Sequence, residues 1–330
     1  MWSDSSAGRW YGMRGQRLTS TVALLGLVWV GCQNRPPEVP SGTPVVLISV
    51  DTLRADRLPA YGYDGVETSA IDSLRQDSIL FERAYSPAPL TLPAHTSLLT
   101  GLLPAEHGLR DNAGYRLDAA RIDAGEIPYL PDAFKSLGYA TGGAVSSFVL
   151  RGEIGLEKGF DLYEDGIEFR TGSDIGGRQR PGAETLNLTT EWLRGVAGRP
   201  FFLFFHLNEP HTPYQPPEPF RSRYSSPYDG EVAAADQVVG SLLAELKSLG
   251  VYDRTVILLL SDHGEGLGEH GEPEHGLLLY TETLQVPLML KLPGARWAGR
   301  SVSAPVQLID VYPTLTGLLG LPGSEHLRGR

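Results

Sequence analysis

From Val45 onward, short apolar runs alternate with stretches whose apolar residues recur every three or four positions. Val45–Val50, broken only by Ser49, Phe201–Phe205 and Val256–Leu260 are the clearest runs, and each is followed directly by a polar residue. Continuous apolar runs of this length read as strands buried on both faces. Between the last two, Val232, Ala235, Val239, Leu242, Leu246 and Leu249 fall at alternating three- and four-residue steps. That spacing lays them along one face of a helix, which Gly250 stops. Further helices are expected over Glu184–Val196 and Gln307–Leu319, and the Gly- and Arg-rich segment Arg170–Pro181 reads as a mobile loop. Strands alternating with helices predict an α/β fold with a mainly parallel sheet flanked by helices. No internal repeat is found.

The first 44 residues do not share this pattern. Arg9, Arg14 and Arg17 precede an apolar stretch, Val22–Val30, and then come Gly31 and the only cysteine, Cys32. The run falls short of the roughly 20 residues that span a bilayer and reads as a secretory signal over residues 1–31. Val30-Gly31-Cys32 resembles a bacterial lipobox, although Trp29 stands where an aliphatic residue is usual. The expectation is an exported protein held to the bacterial cell envelope through a lipidated Cys32, with an ordinary cleaved signal or an uncleaved anchor as the plainer reading. The Pro-rich residues up to 44 form a tether. The remaining residues 45–330 are expected to make one large domain. A single cysteine excludes an internal disulfide and a Cys-based metal site.

With 41% hydrophobic and 20% charged residues the domain has ordinary globular composition. The formal charge of -11, with no Lys/Arg cluster, argues against nucleic acid as a partner. It also means that an anionic substrate needs positive potential made locally, by a metal, histidines or helix N-termini. In parallel sheets ligands collect beyond the carboxyl ends of the strands, and the strand-end residues here are Asp51, His206 and Ser261-Asp262-His263-Gly264. Asp51, Asp262 and His263 converging on one point would make a divalent metal site with open positions. Thr91-Leu92-Pro93-Ala94-His95-Thr96-Ser97-Leu98-Leu99-Thr100-Gly101 reads as a capped apolar helix. Thr91 is then either a mere N-cap or a metal-bound, activated nucleophile at the positive end of the helix dipole. His211, in a turn past a strand end, and His275, in a Gly- and Glu-rich loop, could clasp a tetrahedral anion and protonate its leaving group. His107 and His270 are expected to be structural.

Val50-Asp51-Thr52-Leu53-Arg54-Ala55-Asp56, Thr91 through Gly101, Pro210-His211-Thr212-Pro213-Tyr214, Asp262 through Gly271 and Val286-Pro287-Leu288 resemble, in order, the motifs of the sulfatase family of the alkaline phosphatase superfamily. The resemblance implies an α/β sandwich with a mixed, mainly parallel central sheet and a metal at its carboxyl rim. By position it implies Asp51, Asp262 and His263 as metal ligands together with Thr91, Thr91 as nucleophile, and His95, His211 and His275 as catalytic or substrate-binding residues. Arg54 is expected to hold a loop. The chain departs from the family pattern where a Cys or Ser and, four residues on, an Arg are usual: here stand Thr91 and His95, so formylglycine chemistry is not expected. The second acid of the paired aspartates is Thr52, an Asn is common at His263, and a Lys at His275. An imidazole ligand tilts the single divalent ion from calcium toward zinc or manganese, with calcium or magnesium as the alternatives.

The resulting expectation is a metal-dependent hydrolase of sulfate or phosphate esters acting through a covalent intermediate on Thr91. Two other readings stand beside it: a phosphoryl-group transferase or phosphodiesterase at the membrane surface, and a catalytically silent binding protein on the same fold. The chain stops soon after Leu321-Pro322-Gly323, where relatives continue into a smaller C-terminal subdomain, so a truncated domain is expected.

Overall fold

A computed structural model describes residues 39–167, 179–320 and 323–330. The expected signal, the lipidated Cys32, most of the tether and most of the Arg170–Pro181 loop lie outside the described residues. Among the described residues no helix is long and apolar enough to cross a membrane.

The described residues form eleven strands: β1 Val45–Val50, β2 Ile79–Phe81, β3 Ala84–Tyr85, β4 Ala140–Ala144, β5 Leu162–Glu164, β6 Phe201–Leu207, β7 Val256–Leu260, β8 Gln285–Val286, β9 Leu288–Lys291, β10 Ser301–Val302 and β11 Val306–Gln307. Eight of them make the central sheet, in the order β10-β2-β9-β7-β1-β6-β4-β5, and β11-β3-β8 make a small second sheet. β1 lies between β6 and β7, parallel to both, with Ser49 in register with His206 on one side and with Leu260 on the other. The three strands read from the sequence are therefore neighbours ending at one rim. The antiparallel β9 against β7 makes the sheet mixed.

Alternation along these strands sorts the core into two layers. Val45, Leu47, Phe202, Phe204, Val256 and Leu258 pack with Leu92, Leu98, Phe134, Val311 and Leu315 on one face. Val46, Ile48, Phe201, Leu203, Phe205, Ile257 and Leu259 pack with Ile71, Leu74, Leu193, Val232, Val239, Leu242 and Leu246 on the other. Helices on both faces explain why β1 and β7 carry no outward polar alternation. The amphipathic helix runs Pro227–Ser248, with Ser226 accepting from the Asp229 N–H as its cap. The expected Gln307–Leu319 helix starts late: Gln307 closes β11, Leu308–Asp310 is a 3₁₀ turn and the α-helix is Val311–Leu319. Its apolar spacing is shared by the 3₁₀ turn, which periodicity alone does not separate from an α-helix.

Candidate active site

β1 and β7 deliver the residues just past their carboxyl ends to one point. Asp51, Asp262 and His263 each place a ligand atom within 4.8 Å of the others, and all three are fully buried. His263 Nε2 lies 3.3 Å from Asp262 Oδ2 and 3.7 Å from Asp51 Oδ1. His263 Nδ1–H donates to the Gly264 carbonyl at 2.9 Å, which leaves the Nε2 lone pair facing the carboxylates. Gly264 is required beside it, since a Cβ there would run into the Glu282 carbonyl.

Both carboxylates are unsatisfied. Asp51 Oδ1 and Oδ2 and Asp262 Oδ2 are buried without a hydrogen-bond partner, an arrangement that costs free energy unless a cation is held there. Burial opposes ionisation of Asp51, but the imidazoles of His206, His211 and His263 outweigh it and hold the carboxyl below the usual range. Burial and the Asp51 charge together push Asp262 well above it. Two aspartates of which only one ionises comfortably, beside an imidazole that burial keeps neutral, form a donor set that a divalent cation fits.

The Asp51 loop is over-determined. Thr52 adopts φ +54, a left-handed conformation that strains a β-branched residue. Its N–H donates to Asp262 Oδ1 at 3.3 Å, its carbonyl accepts from the Tyr228 hydroxyl at 2.8 Å, and the next N–H, of Leu53, donates to Ser261 Oγ at 2.9 Å. Thr52 thus serves this loop through its backbone.

Thr91 is not the N-cap the sequence suggests. The cap position is Leu90, and Thr91 is the first residue of the Thr91–Thr100 helix. The Leu92 N–H at that end is met instead by Asn112 Oδ1 at 2.8 Å, a partner twenty residues away that no local pattern reveals. Freed from capping, the Thr91 hydroxyl lies 3.3 Å from His263 Nε2, at the positive end of the helix dipole. One turn on, His95 is fully buried. Its Nδ1–H donates to the Thr91 carbonyl at 2.8 Å and lies 3.4 Å from Asp262 Oδ2, while Nε2 is 2.8 Å from Ser49 Oγ. Burial and the neighbouring His206 lower its pKa to about 3, so His95 is a neutral ring.

His275 and His211 face the cluster from the loops. The His275 ring is 4.4 Å from that of His263 and 5.1 Å from that of His211. His275 Nδ1–H donates to Glu265 Oε1 at 2.9 Å, and the other Glu265 oxygen accepts from the Tyr214 hydroxyl at 2.8 Å. Burial works against charge on His275, but the buried Glu265 carboxylate outweighs it and raises the pKa. His211 Nδ1–H donates to the Thr212 carbonyl at 2.6 Å. The seven candidate site residues read from the sequence therefore meet, His206 lies at the same rim as its strand-end position implies, and Asn112 and Glu265, which the sequence does not single out, join them.

The others stand outside. His107 bonds Ser97 Oγ and the Leu109 N–H, and His270 stacks on Tyr280. Arg54 is consumed by Asp56, Glu269 and the Glu265 carbonyl, holding a loop.

A family model described as Sulfatase matches residues 43–321. Among curated relatives, "Sulfatase" of Formosa agariphila is 26% identical over 92% of this chain and 75% of its own length. "Ulvan-active sulfatase" of the same organism is 26% identical over 93% of this chain and 68% of its own. The crystal structure of the phosphonate monoester hydrolase of Agrobacterium radiobacter superposes with a TM-score of 0.73 at 23% identity, covering 87% of this chain and 75% of that one, a likeness of fold.

Proposed function

The chain belongs to the sulfatase family of ester hydrolases, and within it we propose an enzyme that cleaves sulfate or related anionic esters by direct attack of Thr91, without formylglycine. The observation that carries this is the Thr91 hydroxyl, released from capping and 3.3 Å from His263 Nε2, beside three unsatisfied oxygens of Asp51 and Asp262. Asp51, Asp262 and His263, with the Thr91 oxygen, would hold one divalent ion, zinc or manganese by the imidazole in the set. When bound, such an ion lowers the pKa of a coordinated hydroxyl and neutralises charge growing on the substrate oxygens.

The chain's own groups do the rest. The helix N-terminus favours the Thr91 alkoxide. Attack of Thr91 Oγ on sulfur or phosphorus forms a covalent ester while the bond to the leaving oxygen breaks. His275, kept protonated by Glu265, gives that oxygen its proton from Nε2. His211 presents its own Nε2 to the nonbridging oxygens. Water then attacks the Thr91 ester, its proton going to His275 and its hydroxyl to sulfur or phosphorus, while the bond to Thr91 Oγ breaks and releases the Thr91 alkoxide for the next turnover.

The test is a panel of aryl sulfate, phosphonate monoester, phosphodiester and phosphate monoester substrates on purified protein of measured metal content. The ulvan-active relative makes sulfated polysaccharide the first natural class to assay. Turnover of none of them by metal-replete protein overturns the proposal. Adding alcohol acceptors separates hydrolysis from group transfer. The reading extends to location: export and lipidation at Cys32 rest on the Val30-Gly31-Cys32 sequence, and the mass of the mature N-terminus checks them.

A further inference from the structure

We infer that His206 is a positioning residue for Asp51, a ring fixed in one tautomer whose Nε2–H aims that carboxylate into the ligand cluster. This rests on the metal reading above. His206 is fully buried near the end of β6. The backbone N–H of Ser146 points at its Nδ1 from 3.3 Å. An amide nitrogen can only donate, so Nδ1 is bare and the ring's proton sits on Nε2. That Nε2 faces Asp51 Oδ2 at 3.4 Å, and neither atom has another partner. A buried orphan donor opposite a buried orphan acceptor is a pair that needs only a small ring or carboxylate rotation to close.

The ring is held in place to do so. Ser146 is fixed through its Oγ by Thr185 Oγ1 at 2.7 Å and through its carbonyl by the Arg180 N–H at 2.8 Å. Arg180 in turn donates from Nε to Thr185 Oγ1 and from Nη2 to the Val145 carbonyl. From the other side the His95 ring packs edge-on at 5.0 Å. With its proton on Nε2, His206 cannot ligate a cation itself, and it is absent from the three-residue ligand cluster. Its geometry serves Asp51: pinning Oδ2 leaves Oδ1, 3.7 Å from His263 Nε2, turned toward the shared point. Partners of this kind behind a metal ligand typically change affinity by about 10–100-fold.

Three variants separate this role from simple filling of space. In His206→Gln the side-chain amide can still donate near the Nε2 position, in His206→Asn the amide reaches only the Nδ1 position, and His206→Phe keeps the ring without either nitrogen. Zinc affinity of each apoprotein, from competition with a chromogenic chelator, is measured alongside its melting temperature without metal. Expected are a Gln variant within a few-fold of wild type and Asn and Phe variants weakened about 10–100-fold. If Phe does not fold, Asn decides. Folded Asn or Phe variants binding zinc as tightly as wild type would overturn the inference, as would a Gln variant as weak as Phe. Wild-type protein that binds neither zinc nor manganese overturns the metal reading, and this inference with it.

Discussion

Replacing Thr91 separates nucleophile from helix residue, because the structure assigns the two roles very different magnitudes. Thr91 is 1% exposed and makes no cap bond. Thr91→Ala therefore loses a buried methyl, about 0.8 kcal/mol, and the 3.3 Å hydroxyl contact with His263, about 0.5 kcal/mol at that length, and recovers roughly 0.5 kcal/mol in helix propensity. The net cost is under about 1 kcal/mol, a melting shift of no more than about 2–4 °C for a domain of this size. Loss of the attacking oxygen is another matter. A drop of at least 10³-fold, the least expected for a removed nucleophile, corresponds to about 4 kcal/mol of transition-state stabilisation. Thr91→Ser keeps the oxygen and should retain part of the rate. Asp51, Asp262 and His263 remain in both variants, so bound metal should be largely kept. Turnover, metal content and melting temperature are measured together, and a quenched wild-type reaction is searched by peptide mass for a sulfuryl or phosphoryl group on Thr91. A Thr91→Ala enzyme of full activity would refute the mechanism.

Asp51→Asn and Asp262→Asn should each lose bound metal and nearly all turnover. Because Asp51 and burial disfavour a charged Asp262, the Asp262→Asn apoprotein should melt higher than wild-type apoprotein, and a lower melting point would count against the like-charge account. Glu265→Gln removes the carboxylate that holds His275 protonated against burial, so the basic limb of kcat/KM should move to lower pH; an unmoved limb excludes His275 as the acid. Asp236 accepts from the Ile71 and Ala70 N–H groups at the start of the Ser69–Gln76 helix, and burial, outweighing those bonds, lifts it to about 6. A folded pKa above the unfolded one gives stability present below about 3.9 and lost as pH rises through about 6. Wild type should thus gain on Asp236→Asn between pH 7 and 4 in chemical denaturation, and a flat difference would contradict it.

What could be read from the chain followed how local its cause was. β1 and β7 announce themselves because helices bury both faces, leaving uninterrupted apolar runs. β4, Ala-Thr-Gly-Gly-Ala, does not: a Cβ at Gly142 would stand 2.7 Å from the Trp192 ring and one at Gly143 2.6 Å from the Tyr163 ring. Its apolar surface is supplied by other segments. The two-residue strands β3, β8, β10 and β11 are defined only by their pairing. At the site, strand-end position marks Asp51, Asp262 and His263 directly. Thr91 carried a capping residue's signature, and only the arrival of Asn112 shows the cap to be elsewhere. His206 on Asp51 is likewise a pairing across the fold, and Glu265 on His275 closes a ten-residue loop; spacing reveals neither.

The same pairings explain how a chain of net charge -11 can receive an anion. Arg54, near the rim, is already spent on Asp56 and Glu269, so fixed cations are not the device. Histidines are. His95, His211, His263 and His275 each commit Nδ1–H to an oxygen acceptor, three to backbone carbonyls and the last to Glu265. That common anchoring fixes each ring's orientation and directs its Nε2 away from the anchor. His206 is wired the opposite way, accepting at Nδ1, and it is the ring that confronts Asp51. A neutral imidazole can thus serve as lone pair or as donor according to its anchor. At His275 a buried carboxylate supports charge on the ring.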